Sequence, residues 1–239
     1  MKLKLFFIRR IKGLFLKLKL HNILPNSFFV NLAYLSKLSK WRSQLPKIEY
    51  DDFYTGTFVS NKRLQLFDYL LKKEKLDQPI NYLEFGVYFG NSFKWWVANN
   101  PNEDSRFYGF DTFEGLPEDW NLYKKGEMTT NGQMPEINDK RHRFLKGLFQ
   151  ETLPGFIREN LLSDKRLVIN IDADLYTSTL YVLTMLAPYL KKDDIIIFDE
   201  YGVPMHEFKA WDDFHKSYYV DYVPIAASNN YYQLAIKIK

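Results

Sequence analysis

Two carboxylates one residue apart, Asp172 and Asp174, end an apolar run in the stretch INIDADLY at 169–176. Acids so placed can hold a divalent cation, cap the next helix or face water. A second apolar run, DIIIF at 194–198, also ends in acids, Asp199 and Glu200. If both runs are parallel strands of one sheet, their carboxyl ends open on the same edge. Asp172, Asp199 and Glu200 then converge, with Asp174 nearby. Carboxylates that close repel one another unless a cation or a proton sits among them. Hard oxygen donors with no histidine or cysteine among them predict Mg²⁺ or a similar ion. The competing arrangement has Asp174 capping a helix that starts near Thr177 and leaves Asp199 and Glu200 in a surface turn.

Earlier strand ends carry further polar groups. Glu84-Phe85-Gly86-Val87-Tyr88-Phe89-Gly90-Asn91-Ser92 places two glycines where the backbone must turn, and a helix opening near Asn91 or Ser92 offers free N–H groups. The spacing is G-x-x-x-G, not the tighter form of dinucleotide loops. Glu84, inside the strand end, needs a cationic ligand group or backbone donors as a partner. Asp111, followed by Thr112, ends the next strand at the position where ribose hydroxyls are gripped, or else caps the segment after it. Phe149, after the third strand, offers a wall for a flat base.

Strands are expected at 80–85, 106–110, 143–148, 166–171 and 194–198. Helices are expected at 63–76, 91–99, 150–161, 177–190 and 206–219. Alternation of this kind builds an α/β fold with a mostly parallel sheet and right-handed crossovers. The tail reads as two strands around Ser228-Asn229-Asn230, a C-terminal antiparallel hairpin. Residues 49–239 form this domain, and residues 1–48 a basic helical arm containing a second hairpin or irregular stretch at 22–48.

The chain has 239 residues, 46% of them hydrophobic, which excludes a disordered protein, and no cysteine, which excludes disulfides and thiolate chemistry. The net charge of +4 conceals a division. Up to Lys47 there are eleven Lys or Arg and no acid, leaving 22 bases against 29 acids in the remainder. Leu3, Phe7, Ile11, Leu14 and Leu18 share one helical face, with Arg9, Arg10, Lys12 and Lys17 off it. No stretch is apolar enough to span a bilayer, and the charges argue against a signal peptide. Residues 1–20 therefore read as a helix for an anionic membrane surface, or for the protein's own body or a second subunit in a homodimer. Nucleic acid is not expected as a partner. The absence of cysteine fits the cytoplasm, with peripheral attachment to the inner membrane face as the arm's role.

Taken in order, YLEFGVYFGNS, GFDTFEGLPE, FLKGLFQETLP, INIDADLYTST and IIIFDEY resemble the macrocin O-methyltransferase family over residues 50 to 239. The resemblance implies a Rossmann-like class I methyltransferase sheet that uses S-adenosylmethionine to methylate a sugar hydroxyl on a small-molecule or glycan acceptor. It places Glu84, Gly86 and Gly90 around the methionine part and Asp111 at the ribose. It assigns Mg²⁺ to Asp172, Asp199 and Glu200, with Glu200 departing from the aspartate usual there. The proton acceptor falls to Asp172 or Asp174 beside the metal, or to His206 after the fifth strand. The polar stretch 118–142, with Lys124, Lys125, Arg141 and His142, is expected to read the acceptor. Two other functions fit parts of the chain: a nucleotide-sugar glycosyltransferase built on the D-x-D, and a non-catalytic membrane-tethered binding protein.

Overall fold

Ile195–Phe198 (β5) has no polar position to turn toward water, and all four residues are buried. Ile196 and Phe198 enter one hydrophobic core while Ile195 and Ile197 enter another on the opposite face. Leu83 and Phe85 against Ile80 and Tyr82 repeat that division in β1 (Ile80–Phe85), as expected of parallel strands covered on both sides.

The computed structural model describes residues 2–120, 122–160, 162 and 164–239, with side chains from Phe6 onward. The remaining strands are β2 (Arg106–Asp111), β3 (His142–Lys146), β4 (Arg166–Ile171), β6 (Tyr222–Ser228) and β7 (Gln233–Ile238). Their order is β3-β2-β1-β4-β5-β7-β6, with β7 antiparallel to both of its neighbours and the other pairings parallel. The order reverses between β1 and β4, which opens a crevice at their carboxyl ends. Helices α3 (Lys62–Lys73) and α4 (Asn91–Asn99) cover one face. Helices α5 (Phe149–Glu159), α6 (Tyr176–Leu186) and α7 (Glu207–Tyr218) cover the other. The expected α/β fold with its C-terminal hairpin is the observed one.

Several boundaries move for local reasons. The helix expected over 177–190 stops at Leu186, because Pro188 brings no N–H to continue it and a 3₁₀ turn follows. The expected helix over 150–161 runs from Phe149 to Glu159, and Leu161 lies outside the described residues. The strand expected over 143–148 is His142–Lys146.

The basic arm forms α1 (Lys2–Lys17) and, after Pro25, one 18-residue helix α2 (Asn26–Ser43) in place of a second hairpin. Its C-terminal half docks on the body. Tyr34, Leu38 and Trp41 pack on the core, and Trp41 Nε1 donates to Tyr222 Oη at 2.9 Å. Between α2 and α3, residues 51–61 form neither helix nor strand and fold over the β6–β7 turn. Asn229 Oδ1 accepts from the Val59 amide (3.0 Å) and Asn230 Oδ1 from the Thr55 amide (2.8 Å). Asp52 accepts in turn from the Asn229 and Asn230 amides.

Candidate active site

The first turn of the site is fixed by a backbone crossing. Gly86 has φ +92°, and a Cβ there would lie 1.8 Å from the Asp172 carbonyl oxygen. The glycine is required by the approach of β4 as well as by any ligand. Asp111 ties the same turn to β2: its Oδ2 accepts from the Val87 and Tyr88 amides (2.7 and 2.8 Å) and its Oδ1 from the Phe113 amide (2.7 Å). Gly90, φ +75°, starts α4 with no side-chain cap.

At the β4 and β5 ends the acids do converge. Asp172, Asp174 and Glu200 offer oxygens within 4.8 Å of one another. The capping arrangement does not occur, since Leu175 occupies the α6 N-cap and no side chain caps it. Nor are Asp199 and Glu200 surface acids, as both are buried. Asp199 differs from the other three in its partners. Arg63 Nη1 donates to Asp199 Oδ2 at 2.9 Å and to Asp172 Oδ2 at 3.1 Å, and Gln233 Nε2 reaches Asp199 Oδ1 at 3.4 Å. Asp172, Asp174 and Glu200 are the set that offers converging oxygens; Asp172 meets Arg63 through Oδ2 alone, whereas both oxygens of Asp199 are taken, by Arg63 and Gln233.

Burial raises the pKa of all four acids. For Asp172 and Glu200 the charge of Asp199 adds to it, and Asp174 is pushed up to about 7. Glu200 Oε2 is buried without a hydrogen-bond partner among the described residues. Burial opposes the charge on Arg63, but Asp199 and Asp172 outweigh it and raise its pKa. A cluster with one guanidinium and an orphaned carboxylate oxygen still has use for another cation, so a divalent ion fits the donor set.

These groups line one cavity of about 1280 Å³. Asn91, Ser92, Asp111, Thr112 and Phe149 stand in its wall with Gly86, as the sequence places them. The β2–β3 connection roofs it through Glu118, Trp120 and Tyr123, and Glu118 accepts from Thr177 Oγ1 at 2.7 Å on α6. None of Lys124, Lys125, Arg141 and His142 lines the cavity; Lys124 is engaged with Asp119, and Arg141 with Asp139 and three backbone carbonyls.

Three residues expected at the site stand outside its wall: Glu84, Gly90, where a Cβ would lie 2.8 Å from Pro135 Cγ, and His206. Glu84 is fully buried and accepts from Tyr82 Oη, so its partner is internal. His206 meets Trp120 edge-on, with ring centroids 6.3 Å apart, and burial lowers its pKa. Conversely, Phe58, Ser60, Arg63, Tyr232 and Gln233 line the cavity without having been anticipated. The asparagines of the hairpin turn were the visible signal, since they hold residues 51–61 in place.

Residues 52–227 match the macrocin-O-methyltransferase (TylF) family. The chain belongs to that family. Among its relatives is the 8-demethyl-8-(2,3-dimethoxy-alpha-L-rhamnosyl)-tetracenomycin-C 4'-O-methyltransferase of Streptomyces olivaceus. It is 29% identical over 169 residues, which are 62% of this chain and 63% of that enzyme. The chain thus spans somewhat less than two thirds of this curated relative. Among solved structures, the calicheamicin methyltransferase CalS11 superposes with a TM-score of 0.60 at 20% identity, over 86% of this chain and 91% of that one. The protein cmcI, described with Mg and SAM, gives a TM-score of 0.51 at 17% identity over 84% of each chain. Family membership sets aside the glycosyltransferase interpretation of the D-x-D.

Burial pushes the Glu84 carboxyl up to about 8, against the Tyr82 hydroxyl bond and the charge of Arg63. An acid whose folded pKa exceeds its unfolded value costs stability as pH rises from the lower value to the higher. Glu84→Gln should therefore remove a loss that reaches ~1.4 kcal/mol per pH unit between about pH 5 and 8. Urea denaturation of both proteins across that range checks it; parallel stability–pH curves would refute it.

Proposed function

We propose that the protein transfers a methyl group from S-adenosylmethionine to a hydroxyl of a sugar or sugar-bearing small molecule, assisted by Mg²⁺. The observation that carries this reading is the single cavity joining the Gly86–Ser92 turn, Asp111 and the carboxylate cluster. Its volume exceeds the ~300–1,000 Å³ of a typical one-ligand site, which leaves room for cofactor and acceptor together. The rhamnosyl-tetracenomycin methyltransferase named above supports the sugar-linked acceptor.

S-adenosylmethionine, when bound, supplies an electrophilic methyl whose C–S bond breaks as the new C–O bond forms, the electron pair returning to sulfur. Asp111 and Phe149 line the cavity where a nucleoside would lie, and the Gly86 turn admits a ligand beside the backbone. Asp172, Asp174 and Glu200 would hold the ion, which lowers the pKa of an acceptor hydroxyl and fixes its direction. The hydroxyl proton is lost to a carboxylate of the same cluster. Asp174 is placed for this, because it lines the cavity beside the other acids. Arg63 keeps Asp199 and Asp172 in fixed positions while the cavity fills. Glu118 and Tyr123 place polar groups on the roof, facing the acceptor's remaining hydroxyls.

Titration calorimetry with S-adenosylhomocysteine, with and without Mg²⁺, tests the reading. Micromolar binding is expected. Absence of heat in both conditions would overturn it.

A further inference from the structure

Helix α1 leaves its apolar side open. Phe7, Ile11, Leu14 and Leu18 are each more than half exposed, although at 100° per residue they fall on one face. The N-terminal half of α2 continues the surface with Phe28, Phe29 and Leu32, also more than half exposed. Only the C-terminal half of α2 reaches the body. An apolar surface of this kind on a water-facing arm marks an interaction site. No described helix is long and apolar enough to cross a membrane.

Charge decides the occupant. Arg10 and Lys17 flank one edge of the α1 stripe and Lys12 the other, and none of the three has an acidic partner among the described residues. No acid occurs before Glu49. Two such arms packed together would set unrelieved positive charge along both margins of the contact. The exposed large apolar residues of the body offer little alternative, since Phe58, Tyr88, Phe89 and Leu148 border the cavity. A helix with cations on both edges of an apolar stripe suits a surface that is anionic above and hydrocarbon below: the stripe sinks among acyl chains while the Lys and Arg stems extend to phosphates.

We infer that α1, with the first half of α2, is a docking surface for an anionic lipid bilayer and lies in its interface without crossing it. The inference does not rest on the proposed reaction, and its test uses no substrate.

The full-length protein is co-sedimented with vesicles of phosphatidylglycerol and phosphatidylcholine, and with pure phosphatidylcholine. The anionic vesicles should bind at least about tenfold more tightly, and ~0.5 M salt should weaken that binding. Ile11→Asp combined with Leu14→Asp should abolish the difference, and Arg10→Glu with Lys12→Glu should reduce it. Both variants should keep the wild-type melting temperature, because no described side chain of α1 belongs to either core of the body. The inference fails if wild type stays in solution with both vesicles, or if the aspartate variant binds as wild type does. It also fails if sedimentation velocity shows a dimer that the aspartate variant disperses while vesicle binding is absent, for then a second copy covers the helix.

Discussion

Asp172→Asn is expected to lower kcat at least ~100-fold while S-adenosylhomocysteine affinity stays within about threefold of wild type. The two effects separate because the carboxylate faces Asp174 and Glu200, where the ion is proposed to sit, while the nucleoside end of the cavity belongs to Asp111. Stability should move the other way. Burial and Asp199 hold the Asp172 carboxyl well above its ordinary pKa, so its charge is a cost in the folded state above about pH 5. Arg63 retains Asp199 when Asp172 is neutralised. The variant should therefore melt at or above the wild-type temperature, as expected where a site accepts destabilising charge for the sake of chemistry. Mg²⁺ should raise the melting temperature of wild type and leave the variant unmoved. Full activity in EDTA with an intact fold would falsify the metal part of the proposal.

Gly86→Ala should be the most damaging change of comparable size in the molecule. The added methyl would stand 1.8 Å from the Asp172 carbonyl oxygen, and the residue would still need φ +92°. Neither side can give way. The Gly86 amide donates to Phe110 O at 2.9 Å, and the Asp172 amide donates to Phe85 O at 2.9 Å, so both segments are pinned into the sheet. Backbone strain alone costs ~1–3 kcal/mol. Forcing β1 and β4 apart adds to that, for a total of about 4 kcal/mol or more, a large share of a domain's ~5–15 kcal/mol. Denaturant titration measures it, and a loss below about 1 kcal/mol would mean that the crossing relaxes freely.

The strands and their acids could be read from the chain because their signals are local. DIIIF must be covered on both faces, and an acid at the end of such a run has few places to go. Arg63 could not be read that way. It sits 109 residues from Asp172 and 136 from Asp199, on a helix whose periodicity shows only which side is buried. Glu84 was correctly recognised as an acid needing a partner, but Tyr82, two residues away on the same side of the strand, supplies it from within. Proximity along the chain likewise favoured His206, while its ring meets Trp120 edge-on and does not line the cavity. Gly86 shows the same limit: the sequence demands a turn, but only the fold reveals what the turn avoids.

The bonds from Asn229 and Asn230 to residues 55–59 bear on the order in which the molecule is made. They join positions 170 and 175 residues apart, and the earlier set is synthesised long before its partners exist. A nascent chain lacking residues 228–239 already contains every acid of the cluster. It lacks the clasp that sets residues 51–61 over the cavity, and it lacks Gln233, which steadies Asp199. The cavity is thus completed only when residues 229–233 have joined the sheet, and a deletion that removes them would injure the site although it leaves every acid of the cluster in place.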